Sequence, residues 1–293
     1  MRLDIYLVQK SCLSRHQVQK MIEEGLVTVG GAIVLKPSFK VTGKEEIEYQ
    51  LPVSQFPFEL KPEKIPLDIL YEDDQIVVIN KQADLVIHPA VGHPSGTLVN
   101  ALLARYGTLP TGSDPFKPGI VHRLDKGTSG VIVAARTVEA LTHLQNQFKG
   151  REVEKIYWAF VCGQITEEGI LDKPLGRSSK NRQKISSHTK KGKEALTEWK
   201  VLERFDGNFS WLEVKLHTGR THQIRAHFTE AGNPLIGDPT YGRMGKKLKN
   251  WIARPALHAR SLGFTHPKTG KRVFFEAPMP EDLQKLLSYL KGC

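Results

Sequence analysis

Residues 119–135 read GIVHRLDKGTSGVIVAA and place a charged segment directly before an apolar run. The charged part is His-Arg-Leu-Asp-Lys at 122–126, and the apolar part begins at Val131. Burying charged groups beside an apolar strand costs free energy unless the charges are paired or serve a function. We therefore predict a functional loop followed by a buried strand. The glycines and the Thr-Ser pair favour a tight loop that holds Asp125 at the strand end. A structural ion-pair network explains these residues equally well.

A second polar segment, LHTGRTHQIRAH at 216–227, holds two arginines and three histidines. We predict a strand that is followed by a helix starting near His222. The first backbone amide groups of that helix can receive a phosphate. The histidines at 217, 222 and 227 do not favour a metal site, because they lack i, i+3 or i, i+4 spacing. The predicted change from strand to helix between them also makes their side chains point in different directions. Here too a structural ion-pair network is an open alternative.

From residue 67 onward, strand patterns alternate with a few helical ones. Strands outnumber helices and turn signals join several into hairpins, which predicts an α+β fold with a mostly antiparallel sheet. The predicted strands are 67–71, 75–80, 131–135, 155–162, 197–205, 209–217 and 272–276, and the predicted helices are 97–106, 137–148, 222–230 and 281–290.

The N-terminal residues 1–50 form a separate unit in this prediction. It has two short helices, the second capped by Ser14, and a hairpin that turns at Gly30-Gly31. Its surface cations are Arg2, Arg15, Lys20, Lys36 and Lys40, which alone are ordinary solvated charges. Four prolines in residues 51–66 predict a linker. We therefore predict domains at 1–50 and 67–293, joined by that linker.

The net charge of +11 indicates a polyanionic partner but does not choose between RNA, DNA and an anionic membrane. The apolar fraction is 40%, and no apolar run approaches the roughly 18 residues of a membrane span. The N-terminus lacks the apolar core of a secretory signal. The three cysteines are scattered, which favours a reducing, cytoplasmic setting.

One segment, Arg177 to Lys193, carries seven lysines and arginines and no acidic residue. It also contains several serines and a glycine. Two interpretations stand side by side. The segment is either a solvated flexible loop or a phosphate-binding loop that orders on RNA.

These motifs resemble those of a known family. Residues 122–130 resemble the HRLDxxTSG motif of the RluA-type pseudouridine synthases, and 218–227 resemble their TGRxHQIRxH motif. Between them, EKIYWA at 154–159 resembles the element that carries the family tyrosine. Further motifs of the family occur in the same order along the chain, from about residue 67 to about residue 285. Residues 1–50 resemble the alpha-L, ribosomal S4-like RNA-binding domain of the RluD-like branch. One departure is Gln82, where the family has proline.

The resemblance implies a mixed, mostly antiparallel pseudouridine-synthase sheet with flanking helices. It also implies the isomerisation of uridine in RNA. The N1–C1′ bond breaks, the uracil turns, and C5 joins C1′. Since no atom or electron is gained or lost, we expect neither cofactor nor metal. The family uses a single aspartate, here Asp125, which either attacks C1′ or removes the 2′ proton.

The family motifs imply roles for further residues. Arg225 pairs with Asp125 and favours its ionised form. Tyr157 stacks on the uracil and assists the proton transfer at C5. Arg123 fills the RNA stack when the uridine flips out. Two further sets of binding residues are predicted. The residues expected to contact the substrate are His122, Arg220, His222 and Gln223. The residues of the N-terminal unit expected to contact RNA are Arg2, Arg15, Lys20 and Lys36.

Two other functions compete with this prediction. One is a non-catalytic RNA-binding or ribosome-assembly protein with the same fold. The other is a glycosidase that releases the base, which needs a second carboxylate near the motif core. We expect RNA as the partner, most simply large-subunit ribosomal RNA, with no DNA and no membrane, and a cytoplasmic monomer.

Overall fold

The structure is a computed structural model. It describes residues 1–11, 15–50, 60–90, 92–112, 114, 116–179, 181, 184–189, 191–206, 208–242 and 251–292. The helices in these residues are α1 Leu3–Lys10, α2 Arg15–Glu23, α3 Leu98–Tyr106, α4 Val138–Gly150, α5 Gln223–Glu230 and α6 Glu281–Lys291. The first strands are β1 Val27–Val29, β2 Ala32–Ile33, β3 Ile47–Tyr49, β4 Asp68–Glu72, β5 Ile76–Lys81, β6 Ser129–Ala135 and β7 Glu154–Cys162. The later strands are β8 Glu168–Asp172, β9 Gly176–Arg177, β10 Ile185–Ser186, β11 Leu196–Phe205, β12 Phe209–Leu216, β13 Leu257–Thr265 and β14 Arg272–Glu276.

Nine of these strands form one sheet in the order β4-β5-β6-β13-β7-β12-β11-β8, with β14 paired to β13. The pairing of β13 with β6 is parallel, and the other pairings between its strands are antiparallel. The prediction of an α+β fold with a mixed, mostly antiparallel sheet is therefore confirmed.

The central strand β13 was not predicted from the sequence. Its register against β7 shifts between Ala259 and Ser261, so apolar and polar residues do not alternate along it. His258 and Arg260 add polar groups that conceal a strand buried in the middle of a sheet. The strand matters because it joins the half of the sheet that carries β6 to the half that carries β7.

Helices cover both faces of the sheet. Successive residues of a strand point to opposite faces, so Val77 and Ile79 of β5 pack toward α3 and α5, and Ile76 and Val78 pack toward α4. On the second face, α6 packs against Phe160 of β7. The first face also carries the residues whose sequence patterns predicted chemistry, so the site described below lies between the sheet and α5.

Residues 1–50 have a core of their own, formed by α1, α2 and the three-stranded sheet β2-β1-β3. Gly30 and Gly31 have φ of 58° and 77°, which fits the type I′ turn of a two-residue hairpin. The predicted cap Ser14 lies outside the described residues. Within the predicted linker, residues 60–66 are described, and Leu60 and Ile65 pack against the core of the large sheet. None of the described helices is long and apolar enough to cross a membrane.

Candidate active site

Asp125 lies in the loop just before β6, and two kinds of contact fix this loop. The carbonyl of Asp125 accepts a hydrogen bond from the amide of Thr128 at 3.0 Å. The next carbonyl, that of Lys126, accepts one from the fully buried ammonium of Lys81 at 3.2 Å. Lys81 Nζ also donates to two carbonyls of its own loop, so three N–H groups meet three acceptors. Burial lowers the pKa of Lys81 to about 7.

Gly130 allows β6 to approach β13 closely at the end of the same loop. Its φ is 112°, and a Cβ atom there would collide with the backbone of Ala259. The neighbouring Ser129 hydroxyl lies 2.9 Å from Nδ1 of His258 on β13. The glycine-rich sequence after Asp125 is therefore explained by strand packing, and it sets Asp125 against the centre of the sheet.

Arg225 of α5 joins two carboxylates. Its Nη1 donates to Asp125 Oδ2 at 3.0 Å, and its Nε and Nη2 donate to Asp238 at 2.7 and 3.0 Å. Burial opposes the charge of Arg225, but Asp238 and Asp125 outweigh it and raise the pKa of the guanidinium. Asp238 is buried and also accepts the amides of Thr240 and Tyr241. The predicted pair of Asp125 and Arg225 is thus part of a buried three-residue network.

Tyr157 lines the same pocket as Asp125 and Arg225. It lies on β7, between β12 and β13, and is 8% exposed. Burial and the negative charge of Asp125 raise the pKa of Tyr157, so its phenol stays protonated at neutral pH. The structure therefore brings the three residues predicted to be catalytic to one place: an acceptor carboxylate, a fixed cation and a neutral aromatic ring.

His222 is the N-cap residue that precedes α5, and it has a left-handed backbone at φ 54°, a costly conformation for a residue other than glycine. This places its Nε2 3.9 Å from Asp125 Oδ2, while its Nδ1 lies 3.1 Å from the hydroxyl of Tyr241. Burial, together with Arg225, lowers the pKa of His222 against the pull of Asp125. A neutral imidazole consequently stands beside the carboxylate.

The other residues predicted to bind substrate differ in how many of their polar atoms already form hydrogen bonds within the protein. Arg123 is exposed at the pocket and its side chain makes no hydrogen bond or ion pair within the described part of the chain. Arg220 uses Nε to bind the carbonyl of Glu194. Gln223 is buried, and its amide oxygen and nitrogen each make two hydrogen bonds inside the protein. His122 accepts the amide of Val133 through Nε2 and stacks on Phe148 at 4.6 Å.

The three regularly spaced histidines point to different partners. His217 Nε2 lies 2.8 Å from Glu198. His227 is buried and bonds to Thr197 and to the carbonyl of Lys173, whereas His222 lies beside Asp125. Each histidine therefore belongs to a separate contact.

In the N-terminal unit, Arg2 and Arg15 both bind the buried carboxylate of Asp4, at 2.9 and 3.1 Å. Burial opposes ionisation of Asp4, but hydrogen bonds from Arg2, Gln19 and Arg15 outweigh it and lower its pKa to about 2. Lys20 and Lys36 are exposed. Sequence reasoning missed Asp4, which orients two of the four predicted RNA-binding residues.

The described part of the basic segment is ordered beside the site. β9 and β10 form a short antiparallel pair, and the amide of Ile185 donates to the hydroxyl of Tyr241 at 2.7 Å. Ser186 and Ser187 bind the carboxylate of Glu230 at the end of α5. Lys180, Arg182 and Lys190 lie outside the described residues. Residues 185–187 of the segment thus contact Tyr241 and the end of α5. The phosphate-binding interpretation stays a prediction.

Comparison with known proteins finds relatives that cover most of the chain. The family model described as RNA pseudouridylate synthase matches residues 75–230, and an S4 domain model matches residues 1–47. An uncharacterized RNA pseudouridine synthase of Synechocystis is 44% identical over 99% of this chain and 89% of its own length. The Ribosomal large subunit pseudouridine synthase D of Pasteurella multocida is 41% identical over 95% of this chain and 87% of its own length.

A solved structure, the human RNA Pseudouridylate Synthase Domain Containing 1, has a TM-score of 0.59 at 26% identity. The alignment covers 81% of this chain and 98% of the human one. The family model, the sequence relatives and the solved structure therefore point to one family. The chain belongs to the RNA pseudouridylate synthase family and is an isomerase that converts uridine to pseudouridine in RNA.

Proposed function

We propose that the chain modifies uridines of large-subunit ribosomal RNA and that Asp125 is its catalytic residue. The observation that carries the proposal is the 3.0 Å pair between Asp125 and Arg225 in a pocket that Tyr157 also lines. The ribosomal substrate is supported by relatives such as the Pasteurella protein, whose name gives that substrate.

In the proposed mechanism Asp125 starts the reaction as a carboxylate. It either attacks C1′ of the ribose or removes the 2′ proton, and either step frees the uracil as a delocalised anion. Asp125 is only 15% exposed, which limits competing water. Arg225 is held by Asp238 on its other side, so it keeps both its charge and its orientation through the reaction.

The free side chain of Arg123 suits it to base flipping. Extruding a uridine from structured RNA costs a few kcal/mol, and a planar guanidinium can stack in the gap. The side chain of Arg123 makes no hydrogen bond or ion pair within the described residues, and it is an exposed residue of the pocket lining. Tyr157, neutral and aromatic, supplies a surface on which the flipped uracil stacks.

The remaining predicted substrate residues divide into two groups. Arg220 and His222 line the pocket and keep donors for the ribose or phosphate. Gln223 has both polar atoms of its amide engaged with the protein, and Nε2 of His122 accepts the amide of Val133. We assign Gln223 to positioning the turn before α5, and His122 to positioning the strand β6.

The competing glycosidase needs a second carboxylate that faces the substrate. Asp238 is the other carboxylate of this network, and both of its oxygens bind Arg225. Backbone amides of Thr240 and Tyr241 add to these contacts. An aspartate held in this way is not available to activate water, which favours isomerisation over base release.

The proposed domains are an RNA-binding unit at 1–50, a connection at 51–66 and a catalytic domain at 67–293. The separate core of the first fifty residues supports this division. A monomer is supported by the site, whose residues Asp125, Tyr157 and Arg225 all come from one chain. A cytoplasmic location is supported by the ribosomal substrate.

Deletion of residues 1–50 is expected to weaken RNA binding and to lower the slope of log K against log salt. Each lost phosphate contact removes roughly 0.7–0.9 from that slope. Turnover on saturating RNA is expected to change much less, because the core of this unit is separate from the core around Asp125. Filter binding between low and high KCl measures the slope.

A gentler variant controls for damage by the deletion. Lys20→Gln with Lys36→Gln removes two exposed charges and leaves Asp4 and its arginines in place. We expect a smaller fall of the same slope. If neither variant changes the slope, the unit does not bind phosphates.

The ribosomal substrate is tested by mapping pseudouridines in cells. Large-subunit RNA from cells with and without this protein is compared position by position. We expect one or a few positions to revert to uridine and to recover when the intact gene is restored. If large-subunit RNA is unchanged while another RNA loses pseudouridine, the substrate assignment is wrong and the activity stands.

A further inference from the structure

A second cavity, of about 420 Å3, adjoins the Asp125 pocket and has a cationic lining. Arg123 and Tyr157 line both spaces, so the two are neighbours. The other lysines and arginines of its lining are Lys149, Arg151, Lys155 and Arg220. No carboxylate lines it in the described part of the chain. A space of this size and charge suits an anionic group of the RNA.

Lys155 is the most enclosed cation of this cavity. It is 8% exposed, and it precedes Tyr157 by two residues on β7, so both side chains leave the same face of the sheet. Its side-chain nitrogen makes no hydrogen bond or ion pair within the described residues. Arg151 and Arg220, in contrast, both contact Glu194.

A nearly buried ammonium without a counter-charge is unfavourable in the free protein. Burial, with the nearby charges of Arg151 and Arg220, lowers the pKa of Lys155 to about 8. The amine is still mainly protonated at neutral pH. The protein thus keeps a cation in a place where none of its own described residues neutralises the charge, and this costs stability. Such a cation is expected at a site that binds an anionic ligand.

We propose that Lys155 binds a backbone phosphate of the RNA beside the flipped uridine. The inference rests on the proposed function and deepens it. Two residues along a strand span about 7 Å, so a phosphate on Lys155 and a uracil on Tyr157 can belong to the same short stretch of RNA. Phosphate contacts set register rather than sequence, so Lys155 is a positioning residue that fixes the ribose at Asp125.

The test measures the salt dependence of binding to transcribed large-subunit RNA by the full chain. Lys155→Met is expected to weaken binding and to lower the slope by about 0.7–0.9, the effect of one phosphate contact. Lys155→Arg keeps the charge and is expected to keep the slope. Lys200→Met is the matched control: Lys200 is exposed on β11, on the opposite face from Trp199 and Tyr157. An unchanged slope in Lys155→Met, or an equal fall in Lys200→Met, overturns the proposal.

Folding and chemistry are separated by two further readouts. Lys155→Met is expected to unfold at the same or a higher temperature, since it removes an unpaired buried charge. At saturating RNA, Lys155→Arg is expected to keep its turnover. If it binds normally but turns over slowly, the amine itself takes part in the chemistry, and the positioning role through phosphate is wrong.

A third arm uses inorganic phosphate and neither RNA nor turnover. At constant ionic strength, phosphate in place of chloride is expected to raise the melting temperature of the wild type more than that of Lys155→Met. Equal shifts overturn the proposal. If the wild type makes no pseudouridine, the proposed function fails while this arm still reports on Lys155.

Discussion

Asp125→Asn is expected to abolish pseudouridine formation while leaving RNA bound. The amide is neither a nucleophile for C1′ nor a base for the 2′ proton, so the single-turnover rate should fall at least about 1,000-fold, within the range for a catalytic acid–base or nucleophilic group. Arg225 still has Asp238 as its partner, so the fold should persist. RNA affinity should equal or slightly exceed that of the wild type, because a negative charge facing the phosphates is removed.

The rate is measured by nucleoside analysis of RNA with enzyme in excess, and affinity by filter binding. Asp84→Asn is the matched control, because Asp84 is an exposed carboxylate in the loop next to that of Asp125. We expect it to be fully active. Residual turnover of Asp125→Asn within about tenfold of the wild type would show that another residue starts the reaction.

Arg225→Met is expected to cause the largest loss of stability among single substitutions at the site. It leaves Asp238, which is fully buried, without the two hydrogen bonds that balance its charge. Breaking a buried ion pair from one side costs about 3–5 kcal/mol of unfolding free energy. Activity should also be lost, since Asp125 loses its cation. Urea unfolding followed by circular dichroism measures the change.

Two further variants test whether the loss of the ion pair between Arg225 and Asp238 causes the destabilisation. Arg260→Met removes an arginine whose ion pair with Glu213 is one-third exposed, and it should cost no more than about 1 kcal/mol. The double variant Arg225→Met with Asp238→Asn removes both charges and should recover part of the stability but none of the activity. If Arg225→Met alone is as stable as the wild type, the network does not stabilise the fold.

The loop and strand around Asp125 could be predicted because their information is local. Glycines, a Thr-Ser pair and an apolar run lie next to one another in residues 119–135, and the structure has β6 there. Arg225 and Tyr157 came from family motifs, since nothing local to either residue specifies a contact with Asp125. The structure brings all three into one pocket.

The remaining features depend on tertiary packing. The partnership of Asp238 with Arg225 depends on the path of the chain after α5. The contact of Lys81 with Lys126, which lies 45 positions away in the sequence, depends on the pairing of β5 with β6. Gln223 shows the opposite limit. Its residue type fits a phosphate contact, but only the fold shows that its amide is fully engaged with β11 and the preceding turn.

The central claim is that this chain isomerises uridine in RNA without releasing the base. Its most direct test incubates the purified protein with large-subunit RNA tritiated at uridine C5. We predict tritium release into water in amounts equal to the pseudouridine formed, with no free uracil and no abasic site. Tritium retained in RNA that the protein binds, or uracil released from it, would contradict the account.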